Sequence, residues 1–256
     1  WRMLGDLRRF YRQAPQVLAE PAPGPTLAEY LAANGYSATF RDAHIVPMAS
    51  ALWSSPARTI LDFPMRHLVR FMHNHHMLQL TGRPPWRVVS GGSNRYVQAL
   101  QQTWRVEVQL ATPVQGVKRQ AKGVRLWTAA GEQDFDAVVL ACHTDDALAL
   151  LEDADQEERA VLGAVTYQDN DTVLHTDARV LPRDRRAWAA WNARLPEQDG
   201  DTCTVSYWMN ALQSLDAPVP FIVSLNQDAH IDPARVLRRM RYRHPHQTAA
   251  SVAAQA

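Results

Sequence analysis

Near Trp104 the apolar residues of this 256-residue chain change their spacing, from every third or fourth position to every second. Helical spacing before that point and alternation after it rule out an all-helical bundle and an all-strand sandwich. The expected fold is a mixed α/β chain, α+β in character, in which helical and sheet regions interleave. Within the first stretch, Leu4, Leu7, Tyr11 and Leu18 fall near one helical face, with Arg2, Arg8, Arg9 and Arg12 around them. Pro21 to Pro25 interrupts the pattern. Thr26 with Glu29 three residues later reads as a capping box, and Gly35 as the end of that helix. Ser55 followed by Pro56 starts another helix, and Leu68, Val69 and Met72 keep helical spacing after Pro64.

From Trp104 the segment WRVEVQL alternates as a half-buried strand does. Residues 113–142 read as three short strands with turns at Lys122-Gly123 and Ala130-Gly131. The last of them, AVVLAC, lacks alternation and is expected to be covered on both faces. A helix is expected over Asp145 to Leu151. TVLHT, TCTVSYWM and FIVSL are further strands; in the second, Cys203, Val205, Tyr207 and Met209 share a face. Asp232-Pro233 is expected to open a final helix, ARVLRRMRY.

Composition removes several functions. Net charge is +1, which argues against a nucleic-acid binder. The two cysteines, Cys142 and Cys203, stand outside any CxxC pattern and fit a reducing, cytoplasmic setting. No apolar run approaches the roughly 18 residues of a membrane span. Trp1 opens the chain and TAASVAAQA closes it at what reads as a helix start, so a piece of a longer or processed protein is expected.

Among chemistry-bearing groups, FMHNHHML holds His73, His75 and His76; His73 and His76 could share a helix face, but no HExxH or carboxylate partner stands nearby to supply a third ligand of fixed geometry, so no metal is assigned. The arginines at 235, 238, 239, 241 and 243 read as a solvated helix face or a phosphate contact. The basic first helix leaves a weak membrane-surface contact as an alternative to simple core packing. There is no GxSxG elbow, GxGxxG or GxxxxGK[ST]. The eight tryptophans suit a core or the lining of a large flat ligand. In PPWRVVSGGSNRYVQAL, Gly91-Gly92 precedes a helix with Ser93 as its N-cap. That pair is either a plain turn or a place where an anionic group approaches the backbone and the helix terminus.

Several of these segments occur together in one order: IVPMASALWSSP, LDFPMRHLVRFMHNHHML, PPWRVVSGGSNRYVQAL, FDAVVLACHTDDALALL, VLHTDARVLPRDRRAWAAWN, VSYWMNALQ and IDPARVLRRMRYRHP. This series resembles the predicted FAD/NAD-binding proteins of the flavin-containing amine oxidase superfamily, over nearly the whole chain. The resemblance implies a partial FAD-binding domain interleaved with a substrate domain of helices on a mostly antiparallel sheet. Residues 1–88 and 153–232 would form the substrate domain, 89–152 part of the FAD-binding domain, and 233–256 a return helix toward it. It further implies that Gly91, Gly92 and Ser93 lie near FAD, that Val114 holds the adenine edge through its peptide groups, and that Ala141 and Cys142 end a strand beside the adenosine half. Arg95, Tyr207, Trp208 and Asn210 would face the substrate cavity. The superfamily's N-terminal GxGxxG and C-terminal Gly-rich segment do not occur in this sequence.

The implied activity is removal of a hydride from an amine-bearing or apolar, small-molecule or lipid-like substrate by FAD, with no catalytic acid or base assignable. The rivals are a non-catalytic binding domain that keeps the fold and a peripheral lipid-modifying enzyme.

Overall fold

A computed structural model of the chain describes residues 1–53, 55, 57–194 and 204–255. The chain divides into two compact units, one built from residues 1–99 and 167–249, the other from 100–166 and 250–256.

The helical part of the first unit comprises α1 (Arg2–Gln13), α2 (Leu27–Ala33), α3 (Ala38–Phe40), α4 (Val46–Trp53), α5 (Ala57–Leu61), α6 (Met65–Asn74) and the start of α7 (Asn94–Thr103). Phe10, Leu27, Phe40, Ile45, Ile60, Met65, Leu68, Val69 and Met72 are fully buried in one cluster. Each large side chain so buried contributes roughly 1.5–3 kcal/mol by removal from water. Leu7, Tyr11 and Leu18 pack on this cluster as expected, and only Leu4 of that set departs. Leu4 is 47% exposed, while Asp6 and Phe10 point inward. Asp6 is usable there because it is satisfied. It accepts from the Ser37 amide (3.1 Å) and hydroxyl (2.6 Å) and pairs with Arg9 (2.9 Å). The Ser37 hydrogen bond is the main reason its pKa lies below the ordinary value, against the opposing effect of burial.

α2 has the capping box expected of Thr26 and Glu29. It ends in a Schellman motif: the Tyr36 amide reaches the Leu31 carbonyl, the Gly35 amide reaches Ala32, and Gly35 takes φ +61°. Arg66 on α6 donates to the carbonyls of Val17, Leu18 and Glu20, which terminates the short 3-10 turn at Ala14–Leu18. α5 begins at Ala57; Pro56, expected at that start, lies outside the described residues.

The second unit holds an antiparallel meander, β1 (Val114–Arg119), β2 (Val124–Thr128) and β3 (Gly131–Phe135), with α8 (Thr144–Leu150) and α9 (Gln156–Gly163). Gly123 turns the first hairpin at φ +83° and Gly131 the second. Val117 bridges Leu151, and Arg119 pairs with Asp153 and with Glu158 of the α9 capping box. Two expected strands are absent. Residues 104–110 and 137–142 follow no ladder; Val106, Leu110 and Val139 are 65%, 82% and 89% exposed. Alternation or apolarity makes a strand only where a neighbour receives its hydrogen bonds, and among the described residues neither segment has one.

The first unit is completed by β4 (Tyr167–His175), β5 (Trp191–Arg194), β6 (Thr204–Trp208), α10 (Met209–Leu212), β7 (Ile222–Leu225) and β8 (Val236–Pro245), and α11 (Ala249–Ala253) closes the chain. The sheet order is β5-β6-β7-β4-β8, every pair antiparallel. Thus the expected mixed fold with a mostly antiparallel sheet is what the chain adopts. The expected final helix is not there. After a single 3-10 turn at Pro233–Arg235 the segment runs as β8 along β4. Its real period is two: Arg239, Arg241 and Arg243 alternate with Met240 and Tyr242. Arg241 and Arg243 meet Asp171 (3.0 Å) and Asp169 (3.9 Å) on β4, and Arg239 meets Asp228. Val236, Leu237 and Met240 imitate helical spacing, and cross-strand charge pairing overrides it. On β6, Tyr207 and Val205 keep the shared face expected of them, Met209 already belongs to α10, and Cys203 lies outside the described residues.

Asp177 fastens this sheet. It is 1% exposed and accepts from the Arg179 side chain (2.6 Å), the Arg179 amide (3.1 Å) and the Asp232 amide (2.9 Å). The end of β4 is thereby tied to the turn that launches β8. The Arg179 guanidinium holds the Asp177 carboxyl far below the usual carboxylate range, against the opposing effect of burial. A depressed folded-state pKa adds stability above the ordinary value of 3.8, and that stability is lost as pH falls. Asp177→Ala should lower unfolding stability on the order of 3 kcal/mol. It should also flatten the fall in thermal midpoint between about pH 4 and pH 2. Calorimetry over that range checks both. Gly123→Ala would drive a Cβ into the Phe135 carbonyl at positive φ, so a loss of about 2 kcal/mol or more is expected in denaturant unfolding.

Candidate functional site

The paired glycines form a turn ahead of α7. The Gly92 amide donates to Val89 (2.9 Å) and the Arg95 amide to Gly92 (3.1 Å). Gly91 and Gly92 take φ +79° and +87°, values that side chains other than glycine's adopt only under strain. Their surroundings differ. A Cβ on Gly91 would come within 3.0 Å of Arg95 Nε, so this chain's own arginine folds over it. A Cβ on Gly92 would meet nothing within 4 Å. Ser93 stands in the N-cap position and Arg95 in the first turn, both exposed. The first turn of any α-helix offers amides without intrahelical partners.

In the second unit, Val114 opens β1 with a register irregularity between Val114 and Gly116. It borders a hollow of about 370 Å³, with Gln109, Thr112, Leu126 and Gln133 around it. The Trp127 indole lies against bare Gly116, where any Cβ would collide with it. Ala141 and Cys142 are exposed and lead directly into α8, whose N-cap is His143.

On the five-stranded sheet, Tyr207 and Trp208 are consecutive in β6 and point to opposite faces. Tyr207 meets Trp191 edge to face at 5.6 Å. Trp208 packs edge to face on Trp188 at 5.2 Å, beside the cluster of Val173, Val180, Leu181, Ile222 and Ile231. Its indole nitrogen is buried without a hydrogen-bond partner among the described residues. The Asn210 side chain donates to the Val219 carbonyl (3.0 Å) and accepts from the Phe221 amide (2.7 Å). It therefore fastens the loop that borders a pocket of about 330 Å³, which Trp188, Trp208, Arg185, Leu215 and Asp216 also line. Arg185 stands over the Trp188 ring at 5.3 Å.

The structure thus gathers Gly91, Gly92, Ser93 and Arg95 in one turn, and Trp208 and Asn210 at one pocket. Tyr207 turns away from that pocket. Val114, Ala141 and Cys142 belong to the other unit.

Sequence reasoning missed a buried polar chain through the middle of the sheet. His175 Nδ1 accepts from the Asp177 amide (3.1 Å), which leaves the ring proton on Nε2 to donate to Ser224 Oγ (2.9 Å). Ser224 meets Ser206 (2.7 Å), and Gln227 Nε2 donates to Ser206 (2.9 Å). All four side chains are 0–2% exposed. Burial pushes the His175 pKa down, so the ring is neutral at neutral pH. The available signal was one polar residue set inside each of three apolar strand segments, TVLHT, TVSYW and FIVSL.

Three comparisons bear on this geometry. The family model described as flavin containing amine oxidoreductase matches residues 34–192, more than half of the chain. No curated protein matches it. Among solved structures, cyclohexylamine oxidase from Brevibacterium oxydans is similar at 13% identity and TM-score 0.62, over 98% of this chain and 66% of that one. A putrescine oxidase variant is similar at 12% identity and TM-score 0.62, over 91% and 55%. A fatty acid isomerase from P. acnes that produces CLA is similar at 17% identity and TM-score 0.55, over 88% and 52%. The chain thus spans about half to two thirds of the length of these proteins. With a helix-and-antiparallel-sheet fold common to them and a family match across both of its units, the chain belongs to the flavin-containing amine oxidoreductases, a family of FAD-dependent oxidoreductases.

Proposed function

We propose that the protein holds FAD against the turn at Gly92 and that it oxidises an amine-bearing or apolar substrate. The observation that carries this reading is the open space at Gly92, at positive φ, directly before α7. Open backbone without a Cβ admits a bulky group close to it, and the helix terminus favours its negative charge. In the other unit, taken by itself, the hollow beside Val114, lined by Gln109, Thr112 and Gln133, has the size and polarity to take a purine edge. When bound, FAD supplies the hydride-accepting chemistry. This chain's own residues bind and orient. Arg95, folded over Gly91, is the cation nearest the turn, while Ser93 and the first amides of α7 face an anion.

The substrate class rests on the pocket at Trp188 and Trp208. Two indoles at right angles give apolar walls, and Asp216 on the rim adds a carboxylate. An ammonium group is attracted both to an aromatic face and to a carboxylate. Because Arg185 already covers the Trp188 ring, an amine would be held there by Asp216 and Trp208.

Two measurements test the reading. The full gene product should purify with the visible absorption band of bound flavin. Gly92→Val should weaken flavin retention at least about tenfold, through strain at positive φ and the volume placed in the gap. A colourless parent protein without affinity for added FAD would overturn the proposal. With turnover in hand, Asp216→Asn should raise KM for amines about tenfold while leaving the thermal midpoint unchanged. An unaltered KM would remove the amine assignment.

A further inference from the structure

We propose that the outer face of α1, together with the turn at residues 78–83, docks the protein on an anionic membrane surface. Leu4, Arg8 and Arg12 recur at four-residue spacing and lie on one side of the helix, all exposed. Arg8 and Arg12 have no hydrogen-bond or ion-pair partner among the described residues. Arg9, on the flank, is held by Asp6 and the Asn34 carbonyl and lies 4.1 Å over Tyr36. Together with these arginines, Leu78, Gln79 and Leu80 border a broad, open hollow of about 690 Å³. Leu80, 57% exposed, lines it, and Leu4, 47% exposed, stands on the same helix side as Arg8 and Arg12. Arg83 fixes the turn by donating to the Gln79 carbonyl (2.7 Å) and to the Tyr11 hydroxyl (3.1 Å). Among the described residues no carboxylate lines the hollow. The single acid on α1, Asp6, faces the interior.

Charge complementarity selects the occupant. Unpaired guanidinium groups beside exposed leucines match phosphate headgroups lying over acyl chains. A free anion would use the arginines and leave the leucines without a role. A nucleic acid would call for a broad basic excess, and the chain carries +1.

Cosedimentation of the purified protein with phosphatidylglycerol/phosphatidylcholine vesicles, and with phosphatidylcholine vesicles alone, tests the proposal. Binding is expected only to the anionic vesicles and should fall steeply between low and physiological salt. Arg8→Ala/Arg12→Ala should weaken it roughly 30-fold, at about 1 kcal/mol per arginine. Leu4→Ser/Leu80→Ser should weaken it about fivefold. A control pair of exposed cations elsewhere, Arg70→Ala/Arg238→Ala, should change it little. All four positions of the two test pairs are exposed, so an unchanged thermal midpoint shows that the fold is intact. Equal binding to neutral vesicles, or an equal loss from the control pair, would overturn the proposal. So would competition by millimolar inorganic phosphate combined with indifference to the leucine substitutions, which would describe a free-anion site.

Discussion

Pairing of β4 with β8 is the interaction on which the larger unit depends. β4 is bonded on both sides, to β7 and to β8, and so carries the hydrogen-bond ladder from one half of the sheet to the other. The outer partner is rich in arginine and would repel itself as an isolated segment. Opposite Asp169 and Asp171 those charges become cross-strand pairs. Such exposed pairs are individually weak, typically under about 1 kcal/mol. They act mainly on register, because a slip of one residue would set Asp171 opposite Met240 or Tyr242 instead of Arg241 and send every side chain to the opposite face. The buried Asp177 carboxylate then fixes where the ladder begins.

The helical half of the molecule was legible because its signals are local. The Thr26–Glu29 box, the Gly35 stop and the Leu68, Val69 and Met72 stripe each specify structure within a turn or two. The sheet strands at TVLHT, TVSYW and FIVSL were equally readable. What failed were segments whose state is decided by a distant partner. The 236–245 stretch carries apolar residues that fit either period, and the acids of β4, some 70 positions away, together with Asp228 favour the extended form. At 104–110 and 137–142 the sequence looks like strand and has no neighbour to pair with among the described residues. The candidate site follows the same rule. A glycine pair is visible in any sequence, whereas the difference between covered Gly91 and open Gly92 depends on where the Arg95 side chain folds.

The buried polar chain from His175 to Gln227 shows how a sheet interior can hold hydrophilic groups at little cost. Three hydrogen bonds join the four side chains from strand to strand, so much of their desolvation is offset in the same layer. The Gln227 carbonyl oxygen is left over, buried and unmatched among the described residues. Fixed polarity of this kind ties β4, β6 and β7 to one relative placement, which packing of Val and Ile alone would specify less sharply.

Residues 100–166 leave and re-enter the larger unit between its helical and sheet halves. That topology imposes an order of assembly. The β1–β3 meander closes through neighbouring turns and can form early, since its contacts are short in sequence. Once formed, it brings the ends of a long excursion nearer and reduces the chain entropy lost when the late strands find the early helices. A weakened hairpin turn in the inserted segment would therefore slow maturation of a sheet in which it takes no part.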